Sequence, residues 1–295
     1  MDTETVANQL AIALERNMIV TRITLSANAL MVFDYFLTLP DEIELVWRSR
    51  WNIVKVLFLL NRYTAFWDMG ISIYSILGPH LTSSTCSGLY TSHGWLAAVG
   101  ISTSEIILAF RTYALWRESK RIAYALGLVT VIGLIFVAFT LNKALHSVEF
   151  IPVSSISPEL RGCFVTRVNT SWYILIWSMA LASETIIMIL TAIKALQSYR
   201  FWYPASPLLY TIFRDGLLAY LPLFTSSLVN VLIATLATPG YTYTLSQTQY
   251  ALHVVLTSRI VLNIRRRARC EAVASNFEEM ELAQTISDFV AGPAR

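Results

Sequence analysis

Ionisable side chains fall inside the apolar stretches of this sequence, where a charge costs roughly 2.5–3.5 kcal/mol at mid-bilayer on insertion scales and so calls for a partner or a task. Measured from the ends of those stretches, Arg62, Glu105 and Glu184 lie near the middle, and Asp68 lies one and a half turns further out than Arg62. Asn61 and Asp68 are seven residues apart and share one helix face, while Arg62 points about 100° away from Asn61. A second layer of mixed sign, Asp34, Arg111, Arg214, Asp215 and Arg259, falls nearer one end of the same stretches.

These residues admit two readings. In the first, they pair across helices, Arg62 with Glu105 and Asp34 or Asp215 with Arg259, and fix the packing. In the second, the middle layer holds a surplus of acid, with Arg62 set against Asp68, Glu105 and Glu184. Glu184 has no obvious partner. Such a surplus suits a cationic ligand, a metal ion or a proton.

Other chemistry finds little support. The histidines, His80, His93, His146 and His253, are not spaced as helical metal-ligand pairs, and no metal or cofactor is expected. The last apolar stretch has no lysine for a Schiff base. Neither a nucleophile elbow nor a phosphate-binding glycine loop is present. Asp34 and Asp68 lie at different depths, which argues against a protease dyad. An enzyme is not the expectation.

The elements that must position these groups are legible from hydropathy. The chain has 295 residues, of which 55% are hydrophobic and 14% charged. Its mean hydropathy is +0.55. A soluble domain carries about a quarter charged residues, so most of this surface faces lipid. Runs long enough to cross a bilayer fall at Met18–Leu39, Ile53–Leu77, Trp95–Trp116, Ile122–Leu141, Trp172–Leu196, Gly216–Leu236 and Tyr241–Ile264. Lipid-facing backbone must satisfy its own hydrogen bonds, so the expected fold is all-α, a transmembrane bundle of about seven helices. Leu39-Pro40-Asp41 and Thr238-Pro239-Gly240 read as connectors between spans, and Pro222 as a kink in the sixth.

Orientation follows from the basic residues of the loops. Arg48, Arg50, Arg117, Lys120, Arg121, Lys194, Arg200, Arg265, Arg266, Arg267 and Arg269 fall on one side, against Arg16, Lys143, Arg161 and Arg167 on the other. The richer side is cytoplasmic. Residues 1–17 are then an outer N-terminus, 18–264 the membrane domain, and 265–295 a cytoplasmic tail, basic and then acidic. The first 17 residues lack the pattern of a cleavable signal peptide. The membrane is the plasma membrane or another membrane of the secretory pathway.

That topology puts Cys86 and Cys163 outside, where disulfides persist, and predicts a bridge between them. Cys270 follows the inner basic cluster as a palmitoylation candidate or a free thiol. Arg265–Arg269 is expected to attract anionic lipid. The sequon at Asn169 lies outside but only a few residues from Trp172, too close to the membrane for ready glycosylation. The net charge of +3 makes no case for nucleic acid.

Two stretches carry a resemblance. Asp34-Tyr35-Phe36-Leu37-Thr38-Leu39-Pro40-Asp41-Glu42-Ile43-Glu44-Leu45-Val46-Trp47 is followed by Leu57-Phe58-Leu59-Leu60-Asn61-Arg62-Tyr63. Together they resemble the defining block of an uncharacterised multi-pass membrane family of basidiomycete fungi, a domain of unknown function. Further matches are Glu105–Trp116, Arg214-Asp215-Gly216, Ser258-Arg259 and Leu262-Asn263-Ile264-Arg265. The resemblance implies a seven-span fold and no particular activity. The architecture also resembles a G-protein-coupled receptor, with Arg111-Thr112-Tyr113 at the inner end of span three. Arg111 lacks the usual preceding acid, however, and the last span lacks Asn-Pro-x-x-Tyr.

The expected function is therefore a receptor-like sensor that passes an outer or midplane signal to a cytoplasmic signalling protein. A proton- or cation-coupled transporter and a membrane scaffold without a ligand are the alternatives.

Overall fold

The computed structural model describes residues 3–79, 81–152, 162–202, 207–236, 241 and 244–291. Among them are seven α-helices: α1 (Thr3–Glu42), α2 (Ile53–Leu77), α3 (Ser83–Leu115), α4 (Lys120–His146), α5 (Thr170–Trp202), α6 (Pro207–Leu236) and α7 (Ser246–Ala291). Four segments are long and apolar enough to cross a membrane: Leu14–Trp47, Ser83–Leu115, Lys120–His146 and Thr170–Gln197. They mark the chain as a membrane protein. Tyr220–Leu236 in α6 is apolar but shorter.

In α2 and α7 the polar side chains face the protein. Asn61, Arg62 and Asp68 of α2 are buried, as are Gln247, Gln249, His253 and Ser258 of α7. Val56, Leu60, Trp67 and Tyr74 of α2 are exposed, the reverse of a water-soluble pattern. On α4 an exposed apolar face runs through Tyr124, Leu128, Ile132, Ile135 and Phe139.

Beyond longer helix ends, among them the starts of α1 at Thr3, α3 at Ser83 and α6 at Pro207, the chain departs from the expected elements in three places. First, α1 does not stop at Pro40. It runs through Pro40 to Glu42 and continues as a π-helical turn, Ile43–Trp47. Proline removes one backbone donor, and the helix carries on without it. Second, α7 begins at Ser246 and runs unbroken past Ile264 to Ala291. The Thr238-Pro239-Gly240 connector lies outside the described residues. Third, the connection between α4 and α5 is not wholly irregular. It contains an antiparallel hairpin of β1 (Glu149–Pro152) and β2 (Cys163–Arg167), with Glu149 opposite Arg167 and Pro152 opposite Cys163. As for Pro222, α6 stays one helix through it.

Local signals set the helix starts. The Asn52 side chain accepts from the Lys55 amide at 2.8 Å to open α2, and Thr82 accepts from the Thr85 amide at 3.2 Å to open α3. The expected Cys86–Cys163 disulfide is present, with Cα atoms 5.6 Å apart, and it pins β2 to the first turn of α3. Beside it, Gly162 has φ +91°, and a Cβ there would fall 2.4 Å from the Ile76 carbonyl oxygen. Only glycine lets the hairpin lie this close to the end of α2. Tyr90 meets Phe150 edge to face at 5.2 Å, closing the hairpin over α3.

Among the described residues four apolar clusters form the interior, from Phe58, Ile107 and Leu262 at the end of the π-helical turn to Ala144, Tyr173 and Trp177 at the hairpin end. Between them, Met31, Ala65, Tyr250 and Val254 join α1, α2 and α7.

Candidate functional site

The buried polar groups fall into a knot at the end of the bundle that holds the π-helical turn, a middle layer, and a cavity at the end that holds the hairpin. The knot is centred on Arg62. Its Nε lies 2.6 Å from Glu42 Oε2, and its Nη1 lies 3.7 Å from Asp34 Oδ2. Its Nη2 donates to Thr38 Oγ1 at 2.5 Å and to the Tyr35 carbonyl at 3.3 Å. The guanidinium also stacks on the Tyr35 ring, 4.9 Å from its centroid. Glu42 in turn accepts from Tyr63 Oη at 2.9 Å and from Trp47 Nε1 at 3.0 Å. Asp34 is shared: Arg259 of α7 approaches it at 2.5 Å. A buried cation is thus held between two buried carboxylates, the arrangement that makes such burial tolerable.

This corrects the expected Arg62–Glu105 pair. The partner is Glu42, which lies just beyond the Leu39-Pro40-Asp41 connector expected after the first span. Because α1 continues through Pro40, Glu42 is carried on the helix to the inward face. The available signal was a glutamate directly after an apolar run, with Trp47 and Tyr63 nearby to hydrogen-bond it. The expected pairing of Asp34 with Arg259 does occur. The side chains of Arg214 and Asp215 lie outside the described residues. Arg111 sits with its guanidinium 5.7 Å from the Tyr220 ring centroid.

At the same end, α7 grips the π-helical turn. Arg265 Nη1 donates to the Leu45 carbonyl and to Ser49 Oγ, each at 2.8 Å. Arg266 pairs with Asp41. Arg269 lies 2.6 Å from Glu44. Three members of the basic cluster therefore have acidic or carbonyl partners within the chain. Cys270 beyond them is a free, exposed thiol.

In the middle layer each acid meets a neutral group or a histidine rather than arginine. Ser104 Oγ donates to Asn61 Oδ1 at 2.9 Å, and Ser183 Oγ donates to Glu105 Oε1 at 2.8 Å. Glu184 was expected to lack a partner and has two: His253 Nε2 at 3.1 Å and Gln249 Nε2 at 3.0 Å. Gln249 also donates to Ser227 Oγ at 2.7 Å. Both partners lie on α7, far from Glu184 in sequence. Close approach of α3 and α7 here depends on Gly100, where a Cβ would meet the Tyr250 ring at 2.2 Å.

Asp68 belongs to the part nearer the hairpin. Its Oδ1 lies 2.7 Å from His93 Nδ1, and its Oδ2 accepts from Gln247 Nε2 at 3.2 Å. Gln247 Nε2 donates as well to Asn28 Oδ1 at 2.8 Å. One set of bonds thereby ties α1, α2, α3 and α7. Beside it opens a cavity of about 250 Å³, largely apolar and lined by parts of α1 to α5, the hairpin and the start of α7. His93, Gln247, Glu105, Ser183 and Trp177 are among its walls. Of the expected acids, then, Glu105 faces this space and Asp68 stands directly behind its His93 wall. Asn169 sits just before α5, its Oδ1 accepting from the Ser171 amide at 3.1 Å. Among the described residues no three His, Cys, Asp or Glu side chains converge as metal ligands.

Residues 23–67 match the model of a family described as a family of unknown function (DUF6533). That segment contains every residue of the Arg62 knot except Arg259 of α7. It stops one residue short of Asp68. No curated protein matches the chain.

Proposed function

We propose that this chain is a receptor-like protein of seven spans, with its N-terminus outside and its C-terminus in the cytoplasm, in which a small ligand in the outer cavity biases the position of α7. The observation that carries this reading is Gln247. It lines the cavity, opens α7, and holds Asn28 of α1 and Asp68 of α2 together. A ligand that prefers one arrangement of Gln247 has a differential affinity for two states of the bundle, which is what a sensor requires. At its inner end the same helix grips the π-helical turn through Arg265, Arg266 and Arg269.

The seven-span topology is supported by the inward-facing polar groups of α2 and α7 and by the bias of Lys and Arg among the loops. The resemblance to a fungal multi-pass family and to receptor architecture points the same way. On this topology α7 presents the readout to a cytoplasmic signalling protein. Arg266 and Arg269, about half exposed, would take anionic lipid headgroups in competition with Asp41 and Glu44. Cys270 would be available for acylation at the same surface, and Asn169 would stand on the outer one. The membrane is the plasma membrane or another of the secretory pathway.

A second reading rests on Glu184, His253 and Gln249. Their contacts place a carboxylate, an imidazole and an amide within 3.1 Å of one another, as a proton-coupled carrier would use them. Proximity labelling in living cells, with the labelling enzyme fused after Arg295, separates the possibilities. Enrichment of cytosolic signalling proteins supports the receptor. Cytosolic labelling with no such partner favours the carrier or a scaffold, and Glu184→Gln should then abolish flux in vesicles if the chain is a carrier. Labelling of lumenal proteins would overturn the orientation.

A further inference from the structure

The walls of the outer cavity are unevenly charged. Glu105 lies among them, with Ser183 donating to one of its carboxylate oxygens. No Lys or Arg is found among the described residues of the lining. The nearest titratable neighbours behind Glu105 are Glu184 and His253, which are matched to each other at 3.1 Å. Asp68 is likewise matched to His93 at 2.7 Å. Glu105 therefore faces the cavity with a serine hydroxyl on its carboxylate and no Lys or Arg salt bridge among the described residues.

Two further groups ask for a ligand. Gln247 is 3% exposed, and although its Nε2 holds Asn28 and Asp68, its Oε1 has no hydrogen-bond partner. Trp177 is 5% exposed, and its Nε1 has none either. Both line the cavity, and a buried polar atom without a partner costs on the order of 1–3 kcal/mol. The wall around Glu105 is mostly apolar, including Ile101, Met179 and Ile187, with Ser102 and Thr130 among its few polar members. Glu105 and His93 are twelve residues apart on α3, about 18 Å at the helical rise. The space is therefore long, with a carboxylate deep inside it and, toward the hairpin, an acceptor in Gln247 Oε1 and a donor in Trp177 Nε1–H.

We propose that the cavity binds a lipophilic cation: a primary or secondary amine on a compact apolar body, its ammonium on the Glu105 carboxylate and its body against Ile101, Met179 and Trp177. An anionic ligand would bring a second negative charge into a low-dielectric space with no Lys or Arg to meet it. A neutral alcohol would fill the volume but leave the carboxylate unmatched, and charge-assisted hydrogen bonds are roughly twice as strong as neutral ones. This inference rests on the reading of the cavity as a ligand site and adds the ligand's charge.

The test uses three probes with one shape: adamantan-1-amine, adamantan-1-ol and adamantane-1-carboxylate. Each is titrated calorimetrically against the full-length protein in lipid nanodiscs, with empty nanodiscs subtracted. The amine is expected to bind at least about tenfold more tightly than the alcohol, and the carboxylate more weakly than either. In Glu105→Gln the preference of amine over alcohol should fall below about threefold, while the alcohol's own affinity is kept. Alcohol or carboxylate binding as tightly as the amine would overturn the assignment of charge and leave the ligand cavity standing. So would an amine preference that survives Glu105→Gln. If no probe binds, or if Ala98→Phe, which fills the cavity from α3, leaves binding unchanged, the ligand cavity itself falls. The comparison of the three probes on the unaltered protein decides the matter even if Glu105→Gln fails to fold.

Discussion

Arg62 Nε lies 2.6 Å from Glu42 Oε2, and the two side chains are 3% and 0% exposed. Removing one member of such a pair leaves the other charge buried, which costs about 3–5 kcal/mol. Glu42→Gln and Arg62→Met should each lower stability by that amount in SDS-induced unfolding followed by far-UV circular dichroism. The double variant Glu42→Leu/Arg62→Met should recover much of the loss, since Asp34 keeps Arg259. A double variant as unstable as the sum of the singles would show that the knot acts through shape and not through its charges.

An exposed pair gives the contrasting case. Arg269 and Glu44 are 2.6 Å apart but 55% and 53% exposed. Arg269→Ala should change stability by less than about 1 kcal/mol, with the difference shrinking further at high salt. A loss as large as that of Glu42→Gln would mean that the grip of α7 on the π-helical turn is far stronger than its exposure implies.

Gly100 and Tyr250 set how closely α3 and α7 approach, because a Cβ on residue 100 would overlap the Tyr250 ring. Gly100→Ala should cost about 1–3 kcal/mol, the usual penalty for forcing a packed side chain aside. Tyr250→Ala in the same chain should relieve the clash, so the double variant should be less damaged than the two single effects added together. Strict additivity in the same unfolding assay would place the two residues apart.

The disulfide makes a labelling prediction. With Cys86 and Cys163 joined and Cys270 free and exposed, maleimide should modify one cysteine in the oxidised protein and two in Cys86→Ser. The bridge closes a separation of 77 residues, and its loss should cost about 2–5 kcal/mol. Two labelled sites in the unaltered protein would contradict the bridge.

Much of the helical framework was legible in the sequence, because lipid enforces a simple rule on backbone and side chain alike. The segment expected to be helical at Ile53–Leu77 is α2 residue for residue. The disulfide could be foreseen from two cysteines on one face of the topology. Partner choice was far less legible. Arg62 turns to Glu42 because α1 does not yield at Pro40, and a local propensity rule cannot show that the knot holding Glu42 favours continuation. Glu184 finds Gln249 and His253 on α7, 65 and 69 residues away, and no single-sequence pattern encodes that register. The hairpin was missed because its strands are short, and their pairing depends on the disulfide and on Gly162.

Between Ser246 and Ala291, α7 contains neither proline nor glycine. Its 46 residues form a rod about 69 Å long at 1.5 Å per residue. Such a rod is a lever with one arm seated at Gln247 and the other beyond the basic cluster. A rotation of 5° about the Gln247 end would sweep the far end through an arc of roughly 6 Å at that rise. On the proposed reading, a displacement too small to be noticed beside Asp68 would become, at Ala291, a distance that a docked protein would feel.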